Sequence, residues 1–98
     1  MSGTPRHHND LLVYRERMGL TQQHVAKLLG LRNTTLLSKL EQGHRLPTLH
    51  VALKLAVVYR VPVDFLYSRL YGALRDVIRR REASQAATRK IQQLPIHT

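Results

Sequence analysis

The chain has 98 residues, 43% of them hydrophobic, which is enough apolar side chain for one small core and not for two. Sixteen lysines and arginines against six aspartates and glutamates give a formal net charge of +10, which selects a polyanion as partner and favours nucleic acid over a membrane. The lack of cysteine excludes disulfides and thiolate metal sites, no apolar run nears the roughly 20 residues of a bilayer span, and the first ten residues hold no hydrophobic secretion segment, so a cytoplasmic location is the default expectation.

Residues 1–9, rich in Gly, Pro, Arg, His and Asn and without periodicity, are expected to form a flexible arm. A first helix over 10–18 takes Asp10 as its cap, puts Leu11, Tyr14 and Met18 on one face and ends at Gly19. A second, over 22–29, is capped by Thr21; Val25, Leu28 and Leu29 form its apolar stripe, Ala26 is small where another helix must cross closely, and Gly30 stops it. After a short turn comes a third helix over about 34–42, closed by Gly43. Thr48 caps a fourth, whose Leu49, Ala52, Leu53, Ala56 and Tyr59 recur at helical spacing and predict its core face; it ends before Val61 and Pro62. A fifth helix runs from Val63 to Glu82, about 30 Å, and 83–98, rich in Ala, Gln, Ser and Thr, is expected to fray or be disordered. With no strand-like alternation and no repeat, the expected fold is all-α: a compact five-helix bundle with an extended C-terminal helix and flexible ends. Its divisions are an arm 1–9, a domain 10–67, a helix extension 68–82 and a tail 83–98.

The second and third helices share so short a connection that they cross steeply, leaving the first turn of the third exposed in the manner of a helix-turn-helix entering a major groove. Leu11 with Tyr14 and Arg15, Gly19-Leu20-Thr21-Gln22, Val25-Ala26, Leu29-Gly30, Ser38-Lys39-Leu40-Glu41, Gly43, Arg45, Pro47 and the closing Val61-Pro62-Val63-Asp64-Phe65-Leu66 form a specific set. On these residues, 11–67 resembles the XRE family of helix-turn-helix DNA-binding domains, the phage lambda-repressor and Cro-like proteins. The resemblance implies a five-helix bundle, dimeric on double-stranded DNA, that represses or activates transcription. There is one departure: eleven steps separate Gly30 from Glu41, one more than the family's usual spacing. The extra residue is assigned to the turn at 31–33, which restores an apolar side chain at Leu37 and leaves Asn33 or Thr34 as cap of the third helix.

In this docking mode the N-terminal residues of the third helix meet base edges. Thr34, Thr35, Ser38 and Lys39 face the groove, joined by Asn33 or Arg32 if either turns inward. Threonine can bond a base or touch a thymine methyl, lysine can reach the acceptor pair of guanine, and serine reads weakly. The plainer reading of Thr34 and Thr35 is that they only start the helix, and that of Lys39 is a solvated charge. Gln22 resembles the family glutamine that bonds a phosphate, and Arg45 stands where the family has a basic residue on the DNA backbone. Arg32 and His44 are further backbone candidates, whereas Lys27 reads first as an ordinary exposed charge. The same resemblance makes Arg15 and Glu41 a partly buried structural ion pair between the first and third helices.

The histidines His7, His8, His24, His44, His50 and His97 are scattered, and there are no paired carboxylates in one pocket and no Gly-rich phosphate loop. No enzyme activity, metal or cofactor is therefore expected. Leu66, Leu70, Leu74, Val77 and Ile78, flanked by Tyr67 and Tyr71, keep one apolar side beyond the needs of the bundle. This seam docks on the protein's own helices or on a second copy. A homodimer through Leu70, Leu74 and Val77 is favoured, while the arginines at 79–81 read as a solvated helix end. The leading expectation is a sequence-specific transcriptional regulator without membrane association. The alternative is an antitoxin-like subunit that takes a protein partner on its C-terminal helix and autoregulates its operon; a non-specific nucleic-acid binder is the third.

Overall fold

The structure, a computed structural model, describes residues 6–93, with side chains described as far as Arg89. Six helices follow in order: α1 (Leu11–Arg17), α2 (Gln22–Leu29), α3 (Thr35–Glu41), α4 (Leu49–Tyr59), α5 (Val63–Leu66) and α6 (Ser68–Gln93). Among the described residues there is no strand.

Local signals set most of the boundaries. Thr21 Oγ1 accepts from the His24 N–H at 3.0 Å and Thr48 Oγ1 from the Val51 N–H at 3.2 Å, each satisfying an otherwise unpaired amide in a first turn. Gly30 closes α2 at φ +81, where a side chain would be strained, and lets the Leu31 N–H reach back to the Ala26 carbonyl. The core forms where α1 to α5 converge. Leu11, Val25, Leu29, Leu37, Leu40, Leu55, Tyr59, Leu66 and Tyr67 are buried together, and each large aliphatic side chain removed from water contributes about 1.5–3 kcal/mol.

Several expectations need correction. Asp10 occupies the cap position of α1 as expected but makes no side-chain cap bond; that bond comes from its neighbour, Asn9 Oδ1 accepting from the Leu11 N–H at 3.0 Å. What decides between these neighbours is distant, because Asn9 Nδ2 also donates to the Leu40 carbonyl at 2.9 Å, a bond a carboxylate cannot make. Nor are residues 6–9 a free arm. The His7 N–H donates to the Gly43 carbonyl at 2.8 Å, and Asp10 N–H to that of Leu66 at 3.0 Å. The earlier part of the arm, 1–5, lies outside the described residues.

The apolar faces also shift. On α4 the buried residues are Ala52, Leu55 and Tyr59, with Val51, Ala56 and Val58 half-buried, while Leu49 and Leu53 face outward. Apolar residues occupy nearly every side of this helix, so spacing alone does not pick the inner one. On α2 the inward residues are Val25, Ala26 and Leu29, and Leu28 is exposed.

The expected fifth helix is two helices. The backbone breaks at Tyr67, φ −132 and ψ 53, so that the consecutive side chains of Leu66 and Tyr67 both enter the core. Helix α6 then continues past Glu82 to Gln93. From Ala73 to Gln93 no glycine or proline interrupts it, and alanine, arginine, lysine and glutamine are strong helix formers. The part of the expected tail beyond Gln93 lies outside the described residues. At 26 residues α6 is about 39 Å long, and it draws the molecule out to 70 × 37 × 22 Å.

Candidate nucleic-acid interface

The turn between α2 and α3 carries the extra residue and is built around Asn33. Its Oδ1 accepts from the Thr35 N–H at 2.9 Å, so Asn33 supplies the side-chain cap of α3. Thr34 occupies the cap position without a side-chain bond, which leaves its hydroxyl free for another partner. Leu31 tucks against the core, pinning the turn from the inside. Gln23, Lys27, Arg32, Asn33 and Thr34 rim a recess of about 330 Å3 between α2 and the start of α3.

Along α3, Leu37 and Leu40 point inward and fix the rotation of the helix. Thr35 and Lys39 are then exposed and Ser38 half-exposed, on one face at three- and four-residue spacing. Gln42, just past the helix, joins the same face and donates from Nε2 to Ser38 Oγ at 3.2 Å. The sequence reading missed Gln42, although its position three and four residues beyond Lys39 and Ser38 was sufficient to place it.

Arg15 and Glu41 form the ion pair that holds this face from behind. Arg15 Nε donates to Glu41 Oε2 at 2.6 Å and Nη2 to Oε1 at 3.1 Å, a two-point contact with side chains only 14% and 6% exposed. The hydrogen bond to Glu41 raises the Arg15 pKa further, against the opposing effect of burial. Arg15 Nη1 also donates to the Leu20 carbonyl. Gln22 belongs to the same network: its Nε2 donates to Glu41 Oε1 at 2.9 Å. The side chain assigned to a phosphate is thus anchored by its amide nitrogen, leaving its oxygen and second N–H unengaged.

Beyond α3 the chain reverses at Gly43, buried and at φ +80, with the His44 N–H returning to the Lys39 carbonyl at 3.0 Å. His44 and Arg45 follow, both exposed. Arg32 is exposed as well, at the opposite end of α3. The backbone candidates therefore flank the helix that carries the base candidates. The seam residues lie elsewhere, on α6: Leu70 packs on the core, Val77 is half-buried and Leu74 is 56% exposed. Leu46, Leu49, Val63, Tyr67, Leu70 and Leu74 line an apolar groove of about 580 Å3. Among the described residues no group of three His, Cys, Asp or Glu converges to hold a metal ion, and no helix is long and apolar enough to cross a membrane.

Two packed helices joined by a short turn, the second braced by a partly buried ion pair and presenting a polar face beside basic loops, define the helix-turn-helix class of DNA-binding, transcription-regulating domains. Residues 11–66 match the helix-turn-helix family of XRE type, Cro and lambda-repressor-like, and the chain belongs to that family. The comparison with curated proteins gives no match.

Proposed function

We propose that the protein is a sequence-specific transcriptional regulator that lays α3 in the major groove of double-stranded DNA and acts as a dimer. Thr35, Ser38 and Lys39 read base edges, with Thr34 and Asn33 at the leading end of the helix and Gln42 at the trailing end. Gln22, Arg32, His44 and Arg45 hold the phosphate strands. The observation that carries this reading is the outward polar face of α3, whose rotation is locked by Leu37 and Leu40 inside and by the Arg15–Glu41–Gln22 network behind. A locked helix presents its hydrogen-bonding groups at fixed positions, which base readout requires.

The test is a footprint over genomic fragments with competitor DNA at physiological salt. Discrete protected sites support the reading; uniform coverage supports a non-specific binder instead. The antitoxin-like alternative is favoured by one observation, the uncovered apolar side of α6 next to the groove. Formation of a stable 1:1 complex with a different protein encoded beside it, abolished by charge at Leu74, would establish that alternative.

A further inference from the structure

The segment before α1 lies against the end of the helix that carries the base candidates. His7 N–H bonds the Gly43 carbonyl, and Asn9 Nδ2 bonds both the Leu40 and the His7 carbonyls, at 2.9 and 3.0 Å. The packing leaves no room for even a methyl group. A Cβ at Gly43 would stand 2.8 Å from His7 O, 3.0 Å from His7 N and 3.2 Å from the Cβ of Arg6. Arg6 is therefore held next to Gly43, one residue before His44 and two before Arg45, and its side chain is exposed. The three ion pairs among the described residues are Arg15–Glu41, Arg75–Asp76 and Arg79–Glu82, so neither Arg6 nor Arg45 is neutralised by one. Two exposed arginines from distant parts of the chain, neither in an ion pair, thus belong to segments that adjoin at Gly43, at the trailing end of α3.

We infer that Arg6 is a DNA-backbone contact, which rests on the DNA-binding reading above: the segment from Arg6 to Asn9 extends the interface so that Arg6 and Arg45 hold neighbouring phosphates at the end of α3. The competing role is structural, with the Arg6 charge merely favourable at the helix C-terminus. The two roles differ in salt dependence. A phosphate contact releases counterions, with a slope of about 0.9 in log K against log salt for each phosphate neutralised, whereas a helix-end charge changes stability and leaves that slope alone.

The experiment uses the full chain, its highest-affinity genomic fragment and a random duplex of equal length. Arg6→Gln should weaken binding to both duplexes on the order of 5–10-fold at 0.1 M salt, and make the salt slope shallower by about one. The melting temperature should stay unchanged, and Arg6→Lys should restore the slope. An unchanged slope overturns the contact, and a lowered melting temperature with an unchanged slope assigns Arg6 to the helix end alone. A wild-type chain that binds neither duplex overturns the DNA reading itself and this contact with it.

Discussion

At the scale of single residues, the polar groups inside this small core divide into satisfied and unsatisfied ones. Glu41 is the hub of the satisfied set, accepting from Arg15 twice and from Gln22 once. Removing either charge strands the other in a site from which water is largely excluded. Arg15→Ala and Glu41→Ala should each cost about 3–5 kcal/mol of folding stability and should affect DNA binding only through folding. Comparing melting temperature with affinity measured well below the melt checks this; a variant that melts normally yet loses DNA would assign the pair to the interface. Among the described residues the unsatisfied groups are the buried hydroxyls of Tyr59 and Tyr67, which have no hydrogen-bond partner there. Burial pushes both up to about 12 from the ordinary 10, Glu41 adding to the effect at Tyr59. For a group raised in the folded state, stability is intact below the unfolded value and is lost as pH climbs toward the folded one. The protein should therefore weaken between about pH 10 and 12, by roughly 2–3 kcal/mol per tyrosine at most. Tyr59→Phe or Tyr67→Phe should be neutral or up to about 1 kcal/mol stabilising at pH 7, because an unpaired buried hydroxyl is costly, and should flatten the alkaline limb. Urea melts at pH 7 and 11 measure both effects, and a phenylalanine variant that loses stability at pH 7 would reveal a hydrogen bond to an ordered water.

At the scale of elements, the proposed placing of α3 in the groove calls for two kinds of contact. Thr35→Ala and Lys39→Ala should alter sequence preference, each costing on the order of 1–3 kcal/mol of discrimination, while Arg45→Ala should weaken operator and random DNA nearly alike. Equal losses on both duplexes for Lys39→Ala would remove it from the base-reading set. Gln22→Ala should do two things, weakening all sites through the backbone and lowering stability through Glu41, because its amide is spent on that carboxylate. The elements also show what was legible beforehand. The caps at Thr21 and Thr48 and the stop at Gly30 were readable because each depends on a side chain or a backbone angle within four residues of itself. The Arg15–Glu41 pair was readable only through family resemblance, since nothing local joins residues 26 apart. The capping bond from Asn9, the inner face of α4 and the break at Tyr67 were not readable. Asn9 is selected by a carbonyl 31 residues away, α4 has apolar residues on nearly every side, and Tyr67 bends the chain to fill a core that five helices share. Among the candidate site residues, the shared face of Thr35, Ser38 and Lys39 followed from helical period, whereas the placement of Arg6 depended on a contact across the fold.

At the scale of the whole molecule, the long α6 leaves apolar surface that one domain does not use. Leu49, Tyr71, Leu74 and Ile78 are 72%, 49%, 56% and 44% exposed and adjoin or continue the groove beside Leu46. In the dimer proposed above, a two-fold axis would set this apolar surface against the same surface of a second copy. With about 39 Å of helix, α6 is long enough to build toward the roughly 800 Å2 per partner of a stable interface. Because Leu74 is largely exposed and not folded back on α1, Leu74→Glu should leave the monomer folded, with unchanged far-UV circular dichroism. It should sediment as a monomer and lose operator affinity, as one half-site is read instead of two. A dimer that survives the substitution moves the interface to another surface, such as the exposed Leu28, Leu53 and Val57 on α2 and α4. If the wild-type chain is itself a monomer at concentrations where it occupies its sites, α6 is free for a different protein, and the antitoxin-like reading takes precedence.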